Sequence, residues 1–373
     1  MRKKEIIFLV LILILATVLR VYNLENKYYG TDEKHSLLQG DRIINNLSIE
    51  TLKKDAHPPL FFGFVGLLKK LVGSEYVMRL IFVLISLVII IIFYFITKSI
   101  TNTKIATTSA LIMATSPFYI LYSHHIRVYL IQFLLFIIST HMLYKFLFKN
   151  DKKSIYYLTI INIISFYSHL FSSFYILAQF ITVIYFKYKY KIQYFKEYLI
   201  STITSGIVMA LWIPIFIKQY IFIIAGDKIA IQPFKWYFLP YPFYKYTIMV
   251  DVKTVLSEFP QLFIISLLIT GLFFYGIYKF YKTDKKLSEF LMLCFFPAFI
   301  VMGLLGMKFK IYSFRYLSYF FPIYVIFLAN GLELKQEKYK ILILIIIIAS
   351  WLFIMNYYYS VMHIKLWNEL FAI

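Results

Sequence analysis

The sequence predicts an all-α, polytopic integral membrane protein of about 11 transmembrane helices, folded as one domain over residues 1–373. Three observations predict it. Hydrophobic residues make up 61% of the chain and the mean hydropathy is +0.75, which excludes a soluble globular domain and a disordered chain. The apolar stretches recur along the whole length, near the roughly 20 residues a helix needs to cross the hydrocarbon core. Lysines gather in short clusters between those stretches, where orientation signals sit.

Taken in order, Arg2, Lys3 and Lys4 precede an apolar run from Ile6 to Leu19. No small-x-small cleavage site follows at Leu19-Arg20-Val21-Tyr22, so the run is expected to be a retained first helix rather than a signal peptide. The expected spans are 5–22, 77–97, 105–122, 128–147, 155–169, 171–186, 198–217, 259–279, 288–306, 314–332 and 341–359. The stretch from Tyr156 to Phe186 is too long for one span, and reads as two short helices meeting near His169, with Ser165, Ser168, Ser172 and Ser173 at the joint. Two connections are long: a first outer loop at 23–76 and a second outer segment at 218–258. Within the first, Leu60 to Val72 is apolar but too short to span; an amphipathic helix lying in the membrane interface fits it, and a buried re-entrant piece is the alternative. The second is rich in aromatic residues and proline (Pro233, Trp236, Pro240, Pro242) and reads as an ordered lid or rim. There is no internal repeat and no glycine-rich phosphate loop.

With the N-terminus cytoplasmic, the inner loops carry Lys98/Lys104, Lys145/Lys149/Lys152/Lys153, Lys187/Lys189/Lys191/Lys196, Lys279/Lys282/Lys285/Lys286 and Lys335/Lys338/Lys340. These loops are short and lysine-dense, as the positive-inside rule requires. A multi-pass protein of the cell membrane is expected, with Asp32, Glu33, His57, Arg127 and Arg315 on its outer face. The net charge of +21 is thereby assigned to orientation and membrane lipids, not to nucleic acid. The single cysteine, Cys294, lies in an apolar run and permits neither an intramolecular disulfide nor a multi-cysteine metal site.

The chain has only 18 acidic residues, so the adjacent pair Asp32-Glu33 just beyond the first helix is a functional candidate on placement alone. Neighbouring side chains diverge on a helix or strand, which lets one carboxylate face a substrate while the other holds a supporting contact. His57-Pro58-Pro59 follows, where two prolines stiffen the backbone and force His57 into an extended conformation. His57 is a candidate for proton transfer, or for ligating a divalent cation together with Asp32 and Glu33; that ligand set suits several ions, so the cofactor is undefined. A third feature starts at Ser116-Pro117-Phe118 and runs through Tyr122-Ser123-His124-His125-Ile126-Arg127-Val128-Tyr129. An arginine at a helix N-terminus and at headgroup depth offers a forked donor beside free amides, a good receptor for phosphate. The alternative for Arg127, and more so for Arg79 and Arg315, is snorkelling to lipid headgroups.

These residues together resemble the C-type (GT-C) membrane glycosyltransferases, in the branch similar to protein O-mannosyltransferases and the aminoarabinose transferases of lipid A. Leu19-Arg20 followed by Asp32-Glu33 is similar to the family's first-loop signature, and His57-Pro58-Pro59-Leu60 matches its His-Pro-Pro-Leu stretch. Ser116 to Tyr129 resembles a segment usually reading Ser-Pro-Phe…Tyr-Ser-Gln-Glu-Ala-Arg-x-Tyr. Tyr167-Ser168-His169 resembles Tyr-Thr-His, and Arg315-Tyr316-Leu317 through Pro322 resembles the late Arg-Tyr-Leu…Pro segment. The resemblance implies a GT-C fold and transfer of a sugar from a polyprenyl-phosphate donor to a hydroxyl of a lipid, glycan or protein acceptor on the outer face. It implies Asp32 as catalytic base, Glu33 as its supporting carboxylate and Arg127 on the donor phosphate. His57, His124, His125, Tyr129, His169 and Arg315 are expected to contribute to substrate binding. His124-His125 replace the family's Gln-Glu, and His125 is expected to take that glutamate's part. The rival readings are a polymerase or ligase of lipid-linked glycans, a carrier-binding protein without chemistry, and a transporter or flippase. A transporter places ionisable groups near the bilayer midplane, often in repeated halves, a pattern this sequence lacks.

Overall fold

A computed structural model describes residues 3–27, 30–55, 57–225, 240–309 and 314–361. The described residues are helical almost throughout. Helix α1 (Lys3–Val21) leads into the first long loop, which carries α2 (Thr31–Asn45), the single turn α3 (Ile49–Leu52) and α4 (Leu60–Val72). There follow α5 (Glu75–Ile100), α6 (Thr103–Thr115), α7 (Pro117–Ser123), α8 (Tyr129–Lys149), α9 (Lys153–Ser168), α10 (Ser173–Tyr190), α11 (Phe195–Ala210) and α12 (Ile213–Ala225). The last third holds α13 (Tyr241–Thr247), α14 (Val252–Glu258), α15 (Pro260–Thr283), α16 (Lys285–Phe309), a 3-10 stretch at Phe314–Phe320, α17 (Phe321–Leu332) and α18 (Glu337–Val361). Pro233 and Trp236 of the expected lid lie outside the described residues.

Among the described residues, seven helices are long and apolar enough to cross a membrane, and two bent pairs raise the number to nine. The chain is a multi-pass integral membrane protein. The pair α6/α7 bends by 61° and α11/α12 by 46°. The first break falls at Ser116, which is extended because Pro117 follows it. Each of the 11 expected spans coincides with helix, but two fall short of a full crossing. Helix α9 has 16 residues, and 314–332 divides into a seven-residue 3-10 stretch and the 12-residue α17. The joint near His169 is present as expected: His169 is extended (φ −161°) between α9 and α10.

Small residues set the closest helix approaches, as is usual where burial in lipid gives no hydrophobic drive to association. A Cβ on Gly276 of α15 would lie 1.8 Å from the Phe327 carbonyl oxygen of α17, and Asn330 Nδ2 donates to the Gly276 carbonyl at 2.8 Å. In the first loop a Cβ on Gly66 of α4 would lie 2.3 Å from the Gly40 carbonyl of α2. That contact buries Phe61, Phe62 and Val65 beneath α4 and leaves Leu60, Leu67 and Leu71 exposed on its other face.

The ends of the bundle differ in chemistry. At one end lysines pair with carboxylates: Lys98 with Glu5 (2.7 Å), Lys152 with Glu197 (3.0 Å), Lys189 with Glu289 (2.6 Å) and Lys340 with Glu333 (2.6 Å). At the other, α1 ends in a buried Arg20 that donates to the carbonyls of Ala114 (2.8 Å) and Met113 (3.1 Å) on α6. This second end gathers the polar residues singled out in the sequence.

Candidate active site

Helix α2 starts after Gly30, whose backbone amide donates to Glu33 Oε2 at 3.2 Å, the glutamate half of a capping box. The same oxygen receives Lys27 Nζ at 2.7 Å, and Oε1 accepts the Ile126 amide at 3.3 Å. Arg79 Nε stands 3.8 Å from Oε1 and His125 Nδ1 3.9 Å from Oε2. Glu33 is wholly buried and pins the start of α2 onto the α7–α8 turn and α5. One residue earlier, Asp32 turns the other way. Its carboxylate meets Arg315 NH1 at 2.8 Å, with the Asp32 side chain 40% exposed.

Arg127 stands in the turn before α8. Its NH1 donates to Ser36 Oγ at 3.1 Å and to the Asp32 carbonyl at 3.3 Å; its Nε is buried without a hydrogen-bond partner. Ser36 is one helical turn beyond Asp32, so Arg127 reads the first turn of α2 and lies beside the carboxylate. Arg315 approaches from the start of the 3-10 stretch. Two guanidinium groups thus flank one half-exposed aspartate.

His57 joins from the far side of the loop. Its ring stacks on His169 with centroids 4.7 Å apart and planes 25° apart, and His169 lies 6.0 Å from Tyr129. The turn carrying His57 is fastened by Asp55: Oδ1 accepts the His57 amide at 2.8 Å, while Oδ2 lies 2.5 Å from His35 Nε2 on α2. Gln219 of α12 adds a hydrogen bond to the Leu52 carbonyl at 3.0 Å. Burial drives the His57 pKa down to about 4, with Asp55 opposing and Arg127 assisting, so the ring is neutral near neutral pH. Burial works against a charged Asp55, but the His35 hydrogen bond and nearby histidines outweigh it and hold the carboxyl below its ordinary range.

Of the residues picked from the sequence, the structure brings together Asp32, Arg127, Arg315, His57, His169 and Tyr129. Glu33 and His125 lie one layer deeper. His124 turns into the bundle, with Nε2 2.8 Å from the Arg20 carbonyl and Nδ1 3.1 Å from Tyr358 OH. Burial, reinforced by Lys27, pushes both histidines well below their ordinary pKa; they are neutral. The divalent-ion set of Asp32, Glu33 and His57 does not assemble, because the two carboxylates point apart and Glu33 is taken up by Lys27. Among the described residues no group of three or more His, Cys, Asp or Glu could hold a metal ion.

Sequence reasoning missed Asp55 and His35, Lys27, and Lys245 of α13. Lys245 is buried and donates to the Met249 carbonyl at 2.8 Å, with Tyr241 and Phe314 rings about it. Burial lowers its pKa to about 7, with Asp251 opposing and Arg315 adding to the drop. The one available signal was Asp55, an acid two residues before a His-Pro-Pro turn, where its side chain can accept the backbone amide.

Residues 56–216 match the family model of dolichyl-phosphate-mannose-protein mannosyltransferases. The whole chain also superposes on solved membrane transferases. One is the oligosaccharyltransferase AglB from Archaeoglobus fulgidus, solved with an inhibitory peptide and a dolichol-phosphate (TM-score 0.62, 11% identity, 96% of this chain and 56% of that one). Another is ArnT from Cupriavidus metallidurans, solved bound to undecaprenyl phosphate (TM-score 0.60, 10% identity, 97% and 77%) and in the apo state (TM-score 0.61, 12% identity, 90% and 61%). The chain shares the fold of these membrane transferases. At these identities the structural likeness is one of fold, and this chain spans little more than half the length of the archaeal transferase. A sequence comparison with curated proteins gives no match. The matched segment contains His57, Arg127 and His169, whereas Asp32 and Arg315 come to the site from outside it.

Proposed function

We propose that this protein is a glycosyltransferase that moves a sugar from a polyprenyl-phosphate donor to an acceptor hydroxyl on the outer face of the membrane. The observation that carries the reading is the half-exposed Asp32 at one end of a membrane bundle, its carboxylate paired with Arg315 and its backbone carbonyl bonded by Arg127. The solved relatives were captured with dolichol-phosphate or undecaprenyl phosphate, and an anionic phosphate is what two guanidinium groups beside an amide-bearing helix start would receive. Such a donor brings its leaving group in the membrane, so no nucleotide-binding domain is needed.

In the proposed reaction the donor phosphate draws Arg315 off Asp32 and leaves the carboxylate free to act as base. Asp32 takes the proton of the acceptor hydroxyl. The acceptor oxygen forms a bond to the anomeric carbon as the bond from that carbon to the phosphate oxygen breaks. Polyprenyl phosphate leaves with the electron pair, and Arg127 and Arg315 stabilise the charge that gathers on it. A single displacement inverts the anomeric centre. Glu33 acts by position: it fixes the first turn of α2 and so the direction in which Asp32 points.

The reading places the lysine-rich end inside and the site outside, with 11 crossings. Helix α9 starts beside the inner end of α8 and delivers His169 to Tyr129 at the outer end, so it traverses the same body as α8 despite its 16 residues. The 3-10 stretch and α17 together run from Arg315 at the site to Glu333 beside Lys340 and Thr108 at the lysine end. Helix α4, with its exposed leucines and Lys69 paired to Asp41, suits the outer interface. The test is an assay of the purified protein with a panel of polyprenyl-phosphate sugars, following free polyprenyl phosphate. The reading expects acceptor-dependent release from at least one donor of the panel; release from none, by protein shown to be folded, would remove it.

A further inference from the structure

Beside the aspartate and arginines lies a ring-lined patch that the transfer chemistry leaves unused. Phe171 and Tyr316 stack face to face, 3.7 Å between centroids and 9° between planes, and each keeps part of its surface open. His169 meets both, at 5.6 Å and 5.7 Å, and has His57 stacked against it. Nδ1 of His57 and Nδ1 of His169 are both buried with no hydrogen-bond partner. Leaving such atoms unsatisfied is costly, and a bound hydroxyl would remove that cost.

The chemistry of the patch is specific. Flat aromatic faces accept the C–H face of a sugar ring, and neutral imidazoles exchange hydrogen bonds with hydroxyls in either direction. Asp55 fastens the turn that carries His57 and is committed to His35 and the His57 amide. A sugar ring with free hydroxyls meets matched partners here.

On the donor reading above, we infer that the Phe171–Tyr316 stack with His57 and His169 is the subsite for the transferred sugar. The phosphate is gripped by the arginines and the ring rests on the stack, which sets the anomeric carbon between them beside Asp32.

The experiment measures equilibrium binding of two probes to the full-length protein: polyprenyl phosphate alone and its hexose-linked form. The hexose-linked carrier is expected to bind about tenfold tighter than the bare carrier, a difference of about 1.4 kcal/mol. Tyr316→Ala and His169→Ala should remove the hexose advantage while affinity for bare carrier persists, which also reports an intact fold. Tyr316→Phe, which keeps the ring, should retain the advantage. Equal weakening of both probes in Tyr316→Ala and His169→Ala, an unchanged hexose advantage in both, or no hexose advantage in the wild type would overturn the subsite. Failure of wild-type protein to bind bare polyprenyl phosphate would instead overturn the donor reading, and the subsite with it.

Discussion

Glu33 and Asp32 are one residue apart, yet their side chains are 0% and 40% exposed. The difference follows from the 100° step between successive helical positions and predicts different mutant behaviour. Glu33→Gln removes the carboxylate that faces Lys27 and Arg79 in a dry layer, and breaking such a buried pair costs about 3–5 kcal/mol. Thermal unfolding in detergent should show this loss. Arg127→Lys keeps a charge that can snorkel but loses the planar fork. If Arg127 grips the departing phosphate, turnover should fall with Lys and further with Ala, by about 2–4 kcal/mol in the barrier for one such contact; equal turnover for all three would assign the residue to lipid headgroups. Lys245 gives a pH signature. Its folded pKa is about 7 against the ordinary 10.5. Below about 7 both folded and unfolded chains hold the proton, and the cost of burying it is fully present. Between 7 and 10.5 the unfolded chain holds more protons, so stability rises with pH. Lys245→Met should flatten that rise, as unfolding midpoints across pH 7 to 10 would show. Asp32, His57 and Arg127 were legible because charge and histidine are rare among apolar runs. Asp55, Lys27 and Lys245 were not, because their significance depends on which chain segments approach them in space.

Elements were legible where apolar length decided them and less so where packing did. The 11 apolar runs all became helix, and the serine-flanked joint at His169 was visible in the sequence. The 61° bend of α6/α7 is traceable to Pro117, but that the chain kinks there to turn Arg127 toward α2 is a tertiary fact. The same holds for the close helix pairs: nothing in Gly276 or Gly331 alone identifies their partners. Gly276→Ala would drive a methyl into the Phe327 carbonyl of α17 and should destabilise the protein by about 1–3 kcal/mol, the usual cost of overpacking. Gly206→Ala, where no atom lies within 4 Å of the added Cβ, should leave the unfolding midpoint unchanged or slightly higher.

At the scale of the molecule, the lysine-paired end and the arginine–aspartate end define a polarity that the sequence already carried in its loops. Single cysteines placed at Lys152, Lys191 and Lys285 should resist a membrane-impermeant thiol reagent in intact cells, and one at Lys54 should react. The native Cys294 is buried and should stay silent in both cases. Reaction at the lysine-rich positions would invert the orientation and detach the site from an outer-leaflet donor. The central claim is that Asp32 is the base of a sugar transfer from polyprenyl phosphate. Its most direct test is the rate at which reconstituted protein releases free polyprenyl phosphate from its preferred sugar-linked donor, wild type against Asp32→Asn. The substitution keeps the shape and removes the base, so the rate should fall by about 10²–10⁴ while donor binding survives; a rate near wild type would contradict the account.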